Sequence, residues 1–240
     1  MIEYETFAYL ALQKTGSTFI IDFLQRFCSE QCLWSEKHKP VPPDRYSPEK
    51  LYIISVRDPL DQYLSLYSFG TGGKGGFHRR LGDKGRDSLY DGTSRGFRRW
   101  LKLVLRPDKA KLLSREYARS QGGELAQIIG FQSFRYLRLA SRQLDEATDR
   151  DGLRQSFERN NIVGFVIRNE RLNADLARLV RTRLRHSISD PEAALAYLET
   201  AERINASQRV DQSGETFGLR DGLRRQIQER EWLLHELFDY

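Results

Sequence analysis

Residues 51–56 read LYIISV, a continuous apolar run of the kind that forms a strand buried on both faces of a parallel sheet. Two further runs share that character, TFAYLAL at 6–12 and NIVGFVI at 161–167, and segments of helical periodicity lie between and after them. Strands alternating with helices call for one parallel sheet covered on both faces, so the expected fold is a single α/β domain of three layers around a central parallel sheet. With 240 residues, 39% hydrophobic and 30% charged, the chain is long enough to bury such a core. No run approaches the roughly 20 apolar residues of a membrane span. The acidic start MIEYETF runs directly into the first strand without a signal peptide, which predicts a cytoplasmic chain.

The turns that close the apolar runs carry the chemistry. After the first comes Lys14-Thr15-Gly16-Ser17-Thr18, and residues 19–28 then place Ile20, Phe23, Leu24, Phe27 and Cys28 on one helical face. A strand, a short turn with a lysine and a helix opened by hydroxyl residues make an anion cradle, since the first N–H groups of the helix and the ammonium converge there. Gly16 permits a left-handed turn and Ser17 is the expected N-cap. The lysine precedes the glycine and no second glycine lies upstream, which excludes the ordinary G-x-x-x-x-G-K-[ST] phosphate loop. After the second run, Arg57 offers a planar fork of donors, Asp58 and Pro59 open a helix, and Ser65 follows eight residues after the arginine. Ligands of parallel α/β sheets bind at the carboxyl ends of strands, so the two corners are expected within reach of one nucleotide. The third run ends in Arg168.

Elsewhere, 32–35 reads as a short strand, and Pro40, Pro42 and Pro43 make the next segment a loop. Helical patterns fall at 97–105, 111–117, 125–129, 134–144, 172–184, 191–200 and 219–238. The glycine- and cation-rich stretch 69–99 is expected to be a mobile surface excursion, either a solvated loop or a lid over an acidic substrate. Cys28 and Cys32 read as packing residues, because two ligands make no zinc site and i, i+4 positions on a helix rarely reach disulfide geometry. The net charge of +6 favours an anionic partner or substrate.

Lys14-Thr15-Gly16-Ser17-Thr18 resembles the 5′-phosphosulfate loop of sulfotransferases that use 3′-phosphoadenosine-5′-phosphosulfate (PAPS). Arg57-Asp58-Pro59 with Ser65-Leu66-Tyr67 resembles their 3′-phosphate motif, at the same Arg-to-Ser spacing. Arg168-Asn169-Glu170-Arg171-Leu172-Asn173, Ile204-Asn205-Ala206-Ser207 and the closing Leu237-Phe238-Asp239-Tyr240 are similar to the later part of bacterial and carbohydrate-type members. Phe19 stands where many cytosolic members have tryptophan, and their C-terminal Arg-Lys-Gly element has no counterpart other than Asn205, Ser207 and Arg209. The resemblance implies a P-loop-like sulfotransferase architecture and transfer of a sulfuryl group from PAPS to a hydroxyl or amine, with no metal, no nucleic acid and a small-molecule or glycan acceptor. In it Lys14 meets the bridging oxygen, and Thr15, Gly16, Ser17 and Thr18 hold the 5′-phosphate. Arg57 and Ser65 hold the 3′-phosphate, joined by Ser207 and Arg209. The general base falls at His38, with Glu36 in reserve; His78 lies in the basic excursion, and His186 and His235 are expected to be structural. Two other readings of the residues are a basic nucleic-acid-binding module built on 74–99 and a nucleotide-dependent kinase of unusual loop sequence.

Overall fold

In the computed structural model one five-stranded sheet is built from β1 (Ile2–Glu3), β2 (Phe7–Leu10), β3 (Trp34–Ser35), β4 (Leu51–Val56) and β5 (Val163–Arg168), in the order β3-β1-β2-β4-β5. The structure describes residues 1–82, 89–119, 125–144, 147–201, 219 and 221–240. β2, β4 and β5 run parallel, with Leu10 opposite Ile54 and Val56 opposite Arg168. β1 is antiparallel to both β2 and β3, so the sheet is mixed and not purely parallel as expected. The reason is chain length. Only residues 4–6 separate β1 from β2, which allows a tight return closed by Tyr4 N–H to Phe7 O at 2.9 Å but no crossover to a parallel neighbour.

Contacts divide the chain into two units, Met1–Arg57 with Tyr136–Leu144 and Asn160–Ala206, and Asp58–Arg135 with Asp145–Arg159 and Ser207–Tyr240. The first unit contains the sheet. Its core joins Phe7, Tyr9 and Ile53 of the strands to Phe19, Ile20, Phe23 and Leu24 of helix α1 (Ser17–Phe27). It continues into Leu172, Leu176 and Val180 of α10 (Leu172–Thr182) and Leu195 and Leu198 of α11 (Pro191–Thr200). Asp190 caps α11 by accepting from Ala193 N–H at 3.0 Å, and Pro191 takes the first helical position where no N–H is needed. Cys28 ends α1 in an extended conformation, half-buried, and burial pushes its thiol up to about 11; both cysteines are free.

The regular elements described in the second unit are helices, and here two expectations change. Residues 83–88 of the stretch 69–99 lie outside the described residues; its described part, expected to be a surface excursion, carries the end of α2 (Pro59–Thr71), α3 (Gly75–Gly82) and the start of α4 (Ser94–Val104). Its aromatic residues account for the difference: Tyr67 packs on Tyr90, Phe97 and Trp100 with ring centroids 5.3–5.7 Å apart, and Trp100 Nε1 donates to Tyr90 Oη at 2.9 Å. The glycines permit close approach here. A Cβ at Gly70 would lie 2.2 Å from the Tyr90 ring, and one at Gly96 1.9 Å from Asp91 Oδ1.

The other change is the last helix, expected over 219–238 and broken into α12 (Asp221–Arg230) and α13 (Trp232–Phe238). The break lets two neighbouring side chains serve two helix ends. Arg230 donates to Gln127 O at 2.9 Å and Ile129 O at 2.6 Å around the end of α7 (Leu125–Ile128). The buried Glu231 carboxylate accepts from Ser133 N–H at 2.7 Å, Gln132 N–H at 3.2 Å and Ser133 Oγ at 2.8 Å in the first turn of α8 (Phe131–Ala140), and from the Tyr63 hydroxyl. Among the described residues no helix is long and apolar enough to cross a membrane.

Candidate functional site

The first unit gathers its polar chemistry at the carboxyl edge of β2, β4 and β5. β2 leaves the sheet through Ala11 and Leu12, both buried, and turns at Lys14 with φ 65° and Gly16 with φ 88°. Gly16 is the N-cap of α1 in the left-handed conformation, and the first helical bond runs from Ile20 N–H to Gly16 O at 3.2 Å. Ser17, expected as the cap, is instead the first helical residue. Its hydroxyl turns back to donate to Leu12 O at 2.7 Å and accepts from Tyr9 Oη at 3.0 Å. Thr15 is fully buried, donating to Leu12 O at 2.8 Å and bonded to Ser55 Oγ of β4 at 2.6 Å. The Thr15 and Ser17 hydroxyls therefore face inward, and the first backbone N–H groups of α1, which have no partner within the helix, open at the turn that carries Lys14. Thr18 is exposed on the helix's first turn.

Arg57 follows β4 directly, on the edge where the β2 loop emerges, because β2 and β4 are parallel neighbours in register. Arg168 and Asn169 arrive there from β5, since Arg168 pairs with Val56. The Arg168 N–H is held by the buried Asp175 at 2.8 Å. The β5–α10 junction also walls the cradle: a Cβ on Gly16 would come within 2.4 Å of Leu172 Cδ1 and 2.8 Å of Asn169 Nδ2.

Glu36 and His38 reach the same edge from the opposite side of β2. The row Ser35, Ile2, Tyr9 is in register across β3, β1 and β2, so the chain beyond Ser35 exits where the chain beyond Leu10 does. His38 is half-buried with φ 67°, and its Nδ1 lies 2.7 Å from Ala11 O. A carbonyl only accepts, so Nδ1 carries a proton, and in the neutral form of the ring the lone pair lies on Nε2. Glu36 is exposed, 3.9 Å from Lys39, with its N–H on Met1 O at 3.0 Å.

Lys14, Thr15, Gly16, Ser17, Thr18, Arg57, Glu36 and His38 thus all belong to the first unit. Ser65 belongs to the second, buried in the second turn of α2, whose cap Asp58 accepts from Asp61 N–H at 2.9 Å. Ser207 and Arg209 lie outside the described residues. Sequence reasoning missed Tyr9 and Ser55, although each puts a hydroxyl into an apolar run, and a buried hydroxyl demands a partner. No family model, curated protein or solved structure matches the chain.

Proposed function

We propose that the chain is a sulfotransferase that moves the sulfuryl group of PAPS to a hydroxyl or amine of an acceptor, in the three-layer, P-loop-like architecture that goes with that activity. The observation that carries this reading is the parallel pairing of β2 with β4, tied by the Thr15–Ser55 bond of 2.6 Å, which gives the Lys14 loop and Arg57 a common edge. A bisphosphorylated nucleoside needs two such anion corners, one per phosphate. His38, fixed to Ala11 O three residues before Lys14, adds a base with Nε2 as its proton acceptor.

In the step itself the acceptor oxygen attacks sulfur in line while its proton passes to His38 Nε2. The bond between sulfur and the oxygen bridging to the 5′-phosphate breaks, and adenosine 3′,5′-bisphosphate leaves with the electron pair. Negative charge grows on that oxygen, where the Lys14 ammonium and the N–H groups opening α1 lower the barrier without reorganising. Arg57 holds the far phosphate and so contributes to positioning. A net charge of +6 favours an anionic acceptor such as an acidic glycan.

Calorimetric titration tests the reading. Adenosine 3′,5′-bisphosphate is expected to bind far more tightly than ATP, with no requirement for magnesium. Tighter binding of magnesium-ATP would turn the assignment toward phosphoryl transfer, and binding of nucleic acid alone, steeply weakened by salt, would remove the enzyme altogether.

A further inference from the structure

Five oxygens at the base of the cradle close into a ring. Leu12 O, Thr15 Oγ1, Ser55 Oγ, Tyr9 Oη and Ser17 Oγ follow one another at 2.8, 2.6, 2.6, 3.0 and 2.7 Å, the last distance returning to Leu12 O. The carbonyl brings no hydrogen and each hydroxyl brings one, so four hydrogens serve five contacts. Thr15 and Ser17 must donate to Leu12 O, which leaves Ser55 to donate to Thr15 and Tyr9 to divide its hydrogen between Ser55 and Ser17. Every hydroxyl hydrogen is used inside the ring. Burial pushes the Tyr9 phenol up to about 12, so it stays a donor across the neutral range.

The ring spans the pieces that have to stay in register. Tyr9 belongs to β2, Leu12 and Thr15 to the turn, Ser17 to the first residue of α1 and Ser55 to β4. Ser55 stands two residues before Arg57, about 7 Å along an extended chain. The turn it braces holds Lys14, a residue with a side chain, in a left-handed conformation that is unfavourable for any residue other than glycine. Tyr9, Thr15 and Ser55 are fully buried, so releasing any of these three hydroxyls strands a polar group away from water, and this makes the network rigid.

We propose that Tyr9 and Ser55 are positioning residues that fix the offset between the Lys14 cradle and Arg57, so that a ligand carrying two phosphates engages both corners at once. This rests on the sulfotransferase reading and adds to it the part of the molecule that matches the site to the spacing of a 3′,5′-bisphosphate. Neither residue touches the ligand in this scheme.

Calorimetry on the full chain and on its Ser55→Ala and Tyr9→Phe variants, with adenosine 3′,5′-bisphosphate, 5′-monophosphate and 3′-monophosphate, tests it. In both variants the preference for the bisphosphate over the better monophosphate is expected to fall about tenfold or more, because a loosened offset lowers the effective concentration of the second phosphate. The two monophosphates, each needing one corner, are expected to bind within about threefold of the parent. A uniform loss across all three ligands would mean the ring only supports the fold, and an unchanged preference in the folded variants would overturn the proposal. Tyr9→Phe removes the hydroxyl but keeps the shape of the aromatic side chain, and stands as the deciding variant if Ser55→Ala does not fold. If the unaltered chain binds none of the three ligands, the sulfotransferase reading itself fails and takes the offset role with it.

Discussion

Two left-handed residues, Lys14 and Gly16 on either side of Thr15, separate backbone from charge at the cradle. At Gly16 a side chain is excluded both by the positive φ and by Leu172 and Asn169. Gly16→Ala is therefore expected to cost about 2–4 kcal/mol of stability and to abolish nucleotide binding, read by denaturant unfolding and calorimetry. At Lys14 the conformation suits glycine, so Lys14→Gly is expected to keep the turn, to change stability by no more than about 1 kcal/mol and to remove the ammonium. That variant is expected to bind adenosine 3′,5′-bisphosphate measurably and to lose transfer; full turnover would remove Lys14 from the step. His38→Ala is expected to lower turnover about a hundredfold or more with nucleotide affinity retained. Equal losses in affinity and turnover would mean that the Ala11 O contact supports the turn and not the chemistry.

For the helices, the consequential feature is the break at Glu231. Residues 219–238 carry a continuous helical pattern, yet the chain interrupts it so that Arg230 serves the end of α7 and Glu231 the start of α8. Removing the carboxylate strands the Gln132 and Ser133 N–H groups and the Tyr63 hydroxyl in a buried setting. Glu231→Ala is expected to destabilise the chain by about 3–5 kcal/mol in chemical denaturation, and Glu231→Gln by less, because the amide oxygen still accepts. Nothing at 231 in the sequence marks this role, since a glutamate within a helical pattern reads as a solvated position. The glycine-rich stretch before it misleads in the other direction. Composition there speaks for solvent, but Phe77, Tyr90 and Phe97 pack on Trp100 in the folded chain, and the aromatic burial prevails.

Across the whole molecule, acid is the condition that tests the charge arrangement, because depressed carboxylates occur in both units. Burial alone would raise the Glu3 carboxyl, but the hydrogen bonds and charges of Lys50 at 2.5 Å and Arg45 at 2.9 Å outweigh it and hold the group below its usual 4.5. Asp91 behaves likewise. The opposing effect of burial is overcome by the bonds from Thr93 and the charge of Arg99, which hold it below 3.8. A group depressed in the folded state stabilises it fully above the unfolded value and loses that contribution as pH falls through the folded value. The thermal midpoint is thus expected to be level near neutrality and to fall below about pH 4.5, with Glu3→Gln lowering the neutral midpoint and flattening part of the acid slope. An unchanged slope in that variant would show that the Glu3 pairs contribute nothing to acid stability.

The sequence alone determined the places of the three parallel strands, the helices opened at Pro59, Leu172 and Pro191, and the strand-end positions of Lys14 and Arg57, because apolar runs, caps and turn residues act over a few neighbours. It did not determine burial: β5, expected to be covered on both faces, is the edge strand and leaves Gly164 exposed. Tertiary structure alone decided the antiparallel β1, the inward turn of the Thr15 and Ser17 hydroxyls, the register that carries His38 to Ala11 O, and the helix break at Glu231. Each of those depends on a partner far along the chain, as Thr15 depends on Ser55 and Gln132 on Glu231. A buried polar group takes whichever partner the packed fold brings within about 3 Å, and local periodicity carries no record of that choice.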